Sequence, residues 1–209
     1  MPRRPRLEGA GALHHVVAKA ADGRAIVCDD GDRLRLLDGL RVVVGECGWL
    51  CIAYCVLETH AHLVVCTPEP NLGAGMKLLL GRYSSTLNRR LGRRGYVFNR
   101  PFWSRRIDKP HYLLCASLYT VLNPVAAGLC EHPRQFLWSS YSGTTGSRTQ
   151  IDLLAPEILL RTLADEPTAA RRVYRELVDD ATVRLHARRA EEVWWRSVER
   201  AAAETQARG

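Results

Sequence analysis

Lysine is scarce in this sequence of 209 residues: Lys19, Lys77 and Lys109 are three of its thirty basic side chains, and arginine supplies the rest. Acidic residues number only twenty-two, so the formal net charge is +8 and the pI about 9.4. Arginine forks match phosphate oxygens in pairs, and a positive charge carried by arginine leans toward a nucleic-acid partner. An arginine-biased composition would give the same count. A long apolar run is also missing. No 18 consecutive apolar residues occur, which argues against a membrane-spanning helix. No apolar segment follows Met1-Pro2-Arg3-Arg4-Pro5-Arg6, so no secretory leader is expected. The seven cysteines are odd in number, sit mostly in apolar runs and include no C-x-x-C pair. They read as buried thiols in a reducing, cytoplasmic setting. Cys47, Cys51 and Cys55 recur every four residues. The β-rich run 50–57 makes the last two same-face strand neighbours rather than a helical metal cluster.

What is present has a clear order. Residues 12–20 read as a strand. Asp29, Asp30 and Asp32 are candidate N-caps for a helix over 33–45, where Leu34, Leu37, Leu40 and Val44 recur at helical spacing. Strands follow at 49–57 and 60–67, then a helix at 73–91 with Met76, Leu79, Leu80, Tyr83 and Leu87 as its buried stripe. A short strand at 102–107 precedes a helix over 110–122, opened by Asp108-Lys109-Pro110 and packed through Leu114, Leu118 and Val121. The order β-α-β-β-α-β-α predicts an α+β fold, with an antiparallel sheet of about four strands and helices packed on one face. That unit spans 1–142. The Gly-Thr-Thr-Gly-Ser-Arg run suggests a linker at 143–150, and 151–209 a helical extension, with helices read at 151–178 and 181–208.

Three constellations carry chemistry. In Leu57-Glu58-Thr59-His60-Ala61-His62-Leu63-Val64-Val65, strand alternation points His60 and His62 the same way. Two imidazoles on one face can hold a divalent metal if a third ligand arrives from elsewhere. His14, His15, His111, His132 and His186 are weaker candidates. Between residues 77 and 107 there is no Asp or Glu. The segment carries Lys77, Arg82, Arg89, Arg90, Arg93, Arg94, Arg100, Arg105 and Arg106, interleaved with Tyr83, Tyr96, Phe98, Phe102 and Trp103. Arginine neutralises phosphates and aromatics stack on unpaired bases, so this tract points to nucleic acid. The third constellation is Tyr119-Thr120-Val121-Leu122-Asn123-Pro124. Tyr119 and Asn123 share a helix face. A tyrosine beside a metal can attack a phosphodiester, with Asn123 as the metal's third ligand. Equally, Tyr119 can be a packing residue and Asn123-Pro124 a helix-ending turn.

Taken in order, these pieces resemble the His-hydrophobic-His single-tyrosine transposases, and within them the REP-associated tyrosine transposases. The resemblance runs from about residue 5 to 141. It is carried by Gly11-Ala12-Leu13-His14-His15-Val16, Asp29-Asp30 with Asp32-Arg33, Gly48-Trp49, the histidine strand, Gly81-Arg82-Tyr83, Asn88-Arg89-Arg90, the Tyr119 to Leu129 segment and Trp138-Ser139-Ser140-Tyr141. It implies a ferredoxin-like palm. It also implies Mg²⁺ or Mn²⁺ held by His60, His62 and Asn123, with Tyr119 attacking single-stranded DNA to form a 5′-phosphotyrosine and free a 3′-OH. The implied partner is a hairpin-forming DNA repeat contacted by the tract 77–106. A non-cleaving, domesticated DNA-hairpin binder or an RNA-binding protein would use the same basic face. Two positions depart from the family pattern. Glu58-Thr59 stands where a Pro-Asn-like pair is usual, and Ala61 is smaller than the usual residue between the histidines. On a regular strand Glu58 shares the histidine face, as an extra ligand or as a solvated acid. In the tail, Trp194 and Trp195 with Arg184, Arg188, Arg189, Arg196 and Arg200 suit packing on the palm, holding a DNA flank, or dimerisation.

Overall fold

The computed structural model describes residues 9–99, 102–147 and 153–206, with side chains as far as residue 189 and without that of Asp22. The readings on residues 1–6, on Arg100, on the end of the 143–150 stretch, and on the side chains of Trp194, Trp195, Arg196 and Arg200 lie outside the described residues. Strand β1 spans Ala12–Lys19. Helix α1, Asp30–Cys47, starts at Asp29, whose Oδ1 accepts from the Asp32 amide at 2.8 Å. It ends at Gly48, held at φ 66° in the left-handed region that favours glycine. β2 (Leu50–Val56) and β3 (His60–Thr67) form a hairpin, closed by the Leu57 amide donating to the His60 carbonyl at 2.9 Å. α2 (Leu72–Arg90), β4 (Trp103–Ile107) and α3 (Pro110–Ala126) complete the expected order. The helices α4 (Tyr141–Thr144), α5 (Glu157–Leu160) and α6 (Pro167–Gln206) follow. No helix among the described residues is long and apolar enough to cross a membrane.

The strands lie in the order β2-β3-β1-β4 and every pairing is antiparallel. With β-α-β-β-α-β connectivity this is the ferredoxin-like arrangement. Val16, Ala18, Leu63 and Val65 point to one face, where they meet Leu36, Leu40 and Val43 of α1 and Met76, Leu79, Leu80 and Tyr83 of α2. These are the two helices that the sequence placed on one side. α3 crosses the opposite face over Ile52, Val64 and Ile107, and α6 adds Ala170, Tyr174 and Val178 to that second core. The buried stripe of α3 is Leu113, Ser117, Thr120, Val121 and Val125, so Leu114 and Leu118 are only partly covered.

Two local irregularities correct the sequence reading. Pairing of β2 with β3 shifts register between Cys51 and Ala53, so Cys51 stands opposite Val65 but Cys55 opposite His62. This bulge puts the two thiols on opposite faces rather than one. All seven cysteines are free, and burial pushes the Cys51 thiol up to about 12, which makes it inert. The second irregularity is Pro124, which α3 passes through instead of stopping before it. The helix ends in a Schellman motif, with the Leu129 amide donating to the Pro124 carbonyl and Gly128, at φ 74°, to that of Val125, each at 2.9 Å. The chain after α4 also differs. Where helix was expected from 151, the Ala155 amide donates to the Cys51 carbonyl at 2.7 Å, covering the β2 edge beside Trp138 and Ser140. Pro156 and Pro167 then punctuate the chain, opening the short α5 and the single long α6.

Trp49 locks α1, β2 and α2 together. It is fully buried, its Nε1 donates to Asn71 Oδ1 at 2.7 Å, and Asn71 Nδ2 donates to the Cys47 carbonyl at 2.9 Å. Asn71 is the α2 N-cap by position, but its side chain makes this bridge instead of a cap. The indole lies so close to Gly75 that an added Cβ would overlap its Cζ2 and come within 2.7 Å of its Cε2. Gly75→Ala is therefore expected to destabilise the protein by about 1–3 kcal/mol through overpacking. Gly81→Ala on the same helix, where nothing lies within 4 Å, should be neutral or stabilising. Urea unfolding of both variants checks this.

Candidate active site

The α3-facing side of β1, β3 and β4 is where the chemistry collects. Register places Lys19 opposite His60, Val17 opposite His62 and His15 opposite Val64, so all six side chains share this face. His62 is buried, with 2% of its surface exposed, and His60 is half-buried. Their rings meet edge to face with centroids 4.9 Å apart. From α3, Tyr119 brings its ring to 5.4 Å from that of His62 and 5.7 Å from that of His15. Tyr119 is 56% exposed, so it is not a core residue. One turn later Asn123 is buried, its Nδ2 donating to the Tyr119 carbonyl at 2.8 Å, and its side chain acts on the proton affinity of His60. Thr59 Oγ1 holds His60 Nδ1 at 3.0 Å.

His15 is the residue that the sequence reading undervalued. Its Nε2 shares a hydrogen bond with His62 Nδ1 at 3.2 Å, and its ring stacks on His62 and abuts Trp103. That bond orients the His62 ring. His14, beside it, faces the other way and is buried. The only sequence signal for His15 was the doublet itself, because its position against His62 depends on pairing between strands 47 residues apart.

Burial pushes His62 down to about 3, helped by the neighbouring charges that His60, His15 and Lys19 would carry. His60 and His15 are lowered as well, chiefly by burial, with the Asn123 hydrogen bond opposing the effect at His60. All three imidazoles are thus neutral near pH 7, the form that binds a metal. His62 Nε2 is buried and has no hydrogen-bond partner. An orphaned imidazole nitrogen beside a second histidine and a carboxamide is a donor set that fits a divalent cation. Glu58 does not complete it. The residue is exposed in the loop between β2 and β3, and its carbonyl accepts from the Ile26 and Val27 amides at 2.8 and 3.2 Å. Among the described residues no three His, Cys, Asp or Glu side chains converge to hold a metal.

The basic tract does not form one patch. Lys77, Arg82, Arg89 and Arg90 lie on α2, across the sheet from the histidines. Arg90 is occupied there: it forks onto buried Asp32 and onto Asp29, 2.9 Å away, tying the end of α2 to the start of α1. Arg82 lies 3.7 Å from Glu46. Arg93 and Arg94 follow α2 and border a small hollow with Arg24 and Tyr96, whose ring is 88% exposed. Among the described residues of the tract, Arg105 stands opposite His15 and shares the histidine face, while Arg106 stands opposite His14 at the sheet edge. With Lys19, Trp103 and Tyr112 both line a groove of about 750 Å³ that runs between β4 and α3 up to His62 and Tyr119. Arg105 lies over the Tyr112 ring at 5.5 Å, and Arg106 pairs with Asp108 at 2.9 Å.

No family model matches the chain, and no curated protein matches it in sequence. Its fold is shared with a solved structure of a REP-associated tyrosine transposase bound to a REP hairpin. The TM-score is 0.62 over 74% of this chain and 92% of that one, at 15% sequence identity. At that identity the likeness is one of fold.

The suppressed basicity of His62 links the site to stability. Between the ordinary imidazole value of 6.5 and about 3, the unfolded chain binds a proton at this position that the folded chain refuses. Stability is therefore expected to fall as pH drops through that window, by up to about 1.4 kcal/mol per pH unit from His62 alone. Chemical denaturation across pH 7 to 3.5 should show a shallower fall in His62→Gln than in the wild type.

Proposed function

We propose that the chain is a DNA-binding transposase of the single-tyrosine type, cleaving and rejoining single-stranded DNA through a covalent link to Tyr119. The observation that carries this reading is the placing of an exposed tyrosine, 5.4 Å ring to ring from a buried histidine with an orphaned nitrogen, on one face of a ferredoxin-like sheet. One protein that shares this fold is a REP-associated tyrosine transposase, solved bound to a REP hairpin. Here the groove beside Tyr119 joins arginine to exposed aromatic rings, the combination that suits an unpaired strand.

Each residue then has a task. Arg105, Arg106 and Lys19 attract the backbone, and Trp103 offers a stacking face. Tyr119, at the mouth of the groove, presents its hydroxyl to one phosphate. Its oxygen forms a bond to phosphorus as the bond from phosphorus to the 3′ oxygen breaks. The phenolic proton leaves to solvent and the departing oxygen takes one up, giving a 3′-OH and a 5′-phosphotyrosine. His60, His62 and Asn123 would hold Mg²⁺ or Mn²⁺, which when bound supplies positive charge against the phosphate oxygens. His15 keeps the His62 ring in place, and Asn123, tied to the Tyr119 carbonyl, keeps nucleophile and ligand set on one rigid helical turn.

Incubation with a labelled DNA hairpin and Mn²⁺, run on a denaturing gel, is expected to give a covalent protein–DNA band. Tyr119→Phe should lower the yield by ~10³-fold or more while leaving hairpin binding nearly intact. Cleavage by Tyr119→Phe at the wild-type rate would refute the nucleophile. Binding without any adduct would favour a non-cleaving hairpin binder, and equal binding of an RNA hairpin an RNA-binding role. The split of the basic tract makes a separate prediction. Arg105→Ala and Arg106→Ala should each reduce the salt slope of hairpin binding by about 1. Arg90→Ala should appear mainly as a lower melting temperature, because it strips the buried Asp32 of one of its two arginine partners.

A further inference from the structure

Tyr119 borders a second groove, on the side away from β4. Its volume is about 380 Å³; Tyr119, Asn123 and Ala126 of α3 form one wall, and Arg184, Leu185 and Arg188 of α6 the other. The helix that supplies the second wall is fixed in position. Arg189 Nη1 donates to the Val125 carbonyl at 2.8 Å, and its guanidinium sits so close to Gly128 that a Cβ there would lie 2.7 Å from Nη2. His132 bonds Asp179 at 2.7 Å, His186 bonds the Glu131 carbonyl at 2.8 Å, and Tyr174, Val178 and Thr182 are buried.

On this anchored helix Arg184 and Arg188 stand one turn apart, so their side chains share a face. Both are exposed, and neither is in an ion pair among the described residues. No acidic side chain lines the groove. Arg189, one position on, is used for packing, so α6 divides its arginines between docking and this opening. Two exposed guanidiniums beside a candidate phosphate-attacking tyrosine present the fork that phosphate oxygens match.

We infer that Arg184 and Arg188 form a phosphate-binding wall that grips the single-stranded flank on one side of the attacked phosphate, while the β4 groove takes the other. The inference rests on the function proposed above. It makes α6 a working part of the nucleic-acid site, and gives Tyr119 a strand held on both sides.

The test uses the full chain and hairpins whose single-stranded flank is lengthened on one side or the other, read by affinity at several salt concentrations and by adduct yield with Mn²⁺. The Arg184→Ala/Arg188→Ala double variant should melt like the wild type, since both side chains are exposed. It should lose ~10-fold in affinity for a hairpin extended on one side, with a salt slope lower by about 2. It should bind a hairpin extended on the other side as the wild type does. Arg184→Lys/Arg188→Lys should restore most of the salt slope. A wild type that forms the adduct, beside a double variant that keeps full affinity and slope on both flanks, overturns the inference and leaves the proposed function standing. A wild type that forms no adduct and gains nothing from either flank overturns both.

Discussion

β1 and β3 pair so that Lys19 meets His60, Val17 meets His62 and His15 meets Val64, and the site exists only in that register. A slip of one residue would turn His60 and His62 toward α1 and α2 and bury charged or polar groups in the main core. The apolar alternation that prevents the slip is on both strands. Val16, Ala18, Leu63 and Val65 are all wanted on the α1/α2 side, and each is at most 5% exposed. At about 25 cal/mol per Å² of apolar surface, the main core holds the register far more strongly than any hydrogen bond at the site could. The histidines are carried to the other face as the complement of that packing.

α3 supplies the rest, and its stability comes from features that oppose one another. Pro124 removes the helical hydrogen bond to the Thr120 carbonyl, yet the helix continues to Ala126, where the Gly128 and Leu129 amides cap the end carbonyls of Val125 and Pro124 and Arg189 of α6 also bonds that of Val125. The consequence is geometric. Asn123 remains in regular helix, so it stays one turn from Tyr119, and its side chain bonds the Tyr119 carbonyl. A helix that stopped before Pro124 would leave the carboxamide on a loop, free of the His60 contact.

These observations show which parts were legible in the sequence. The His60/His62 alternation, the Met76 to Leu87 stripe, the Asp29 cap and the order of strands and helices are local patterns, and each is found as read. Missing from the sequence was whatever depends on pairing across distance. His15 joins the site through a strand partner 47 residues away. The Cys51/Cys55 spacing misleads because one bulged residue reverses the face. The acid-free run 77–107 looks continuous in sequence, but the sheet passes through it, leaving α2 on one side and β4 on the other. Arg90 finds its acids at Asp29 and Asp32, about 60 residues earlier and outside the run. Glu58 reads as a histidine neighbour only if the strand is extended through it, and the hairpin loop takes it away.

The charge pattern of the assembled face argues for one kind of occupant. His60, His62 and Asn123 on it are uncharged at neutral pH, and the lowered basicity of the histidines keeps them so. Neither groove beside Tyr119 is lined by an Asp or Glu, whereas Lys19, Arg105, Arg106, Arg184 and Arg188 line them. Asp108 offsets Arg106 alone. The protein thus gathers positive charge around a neutral centre and supplies almost no counter-charge of its own. A peptide or a neutral metabolite would leave that field unsatisfied. A polyanion that threads past Tyr119 satisfies it at every step, because each unit of the chain brings one negative charge. The aromatic rings fit the same occupant: Trp103 and Tyr112 are exposed along the groove that Arg105 and Arg106 line, a pairing of stacking faces with guanidinium groups that suits an unpaired strand.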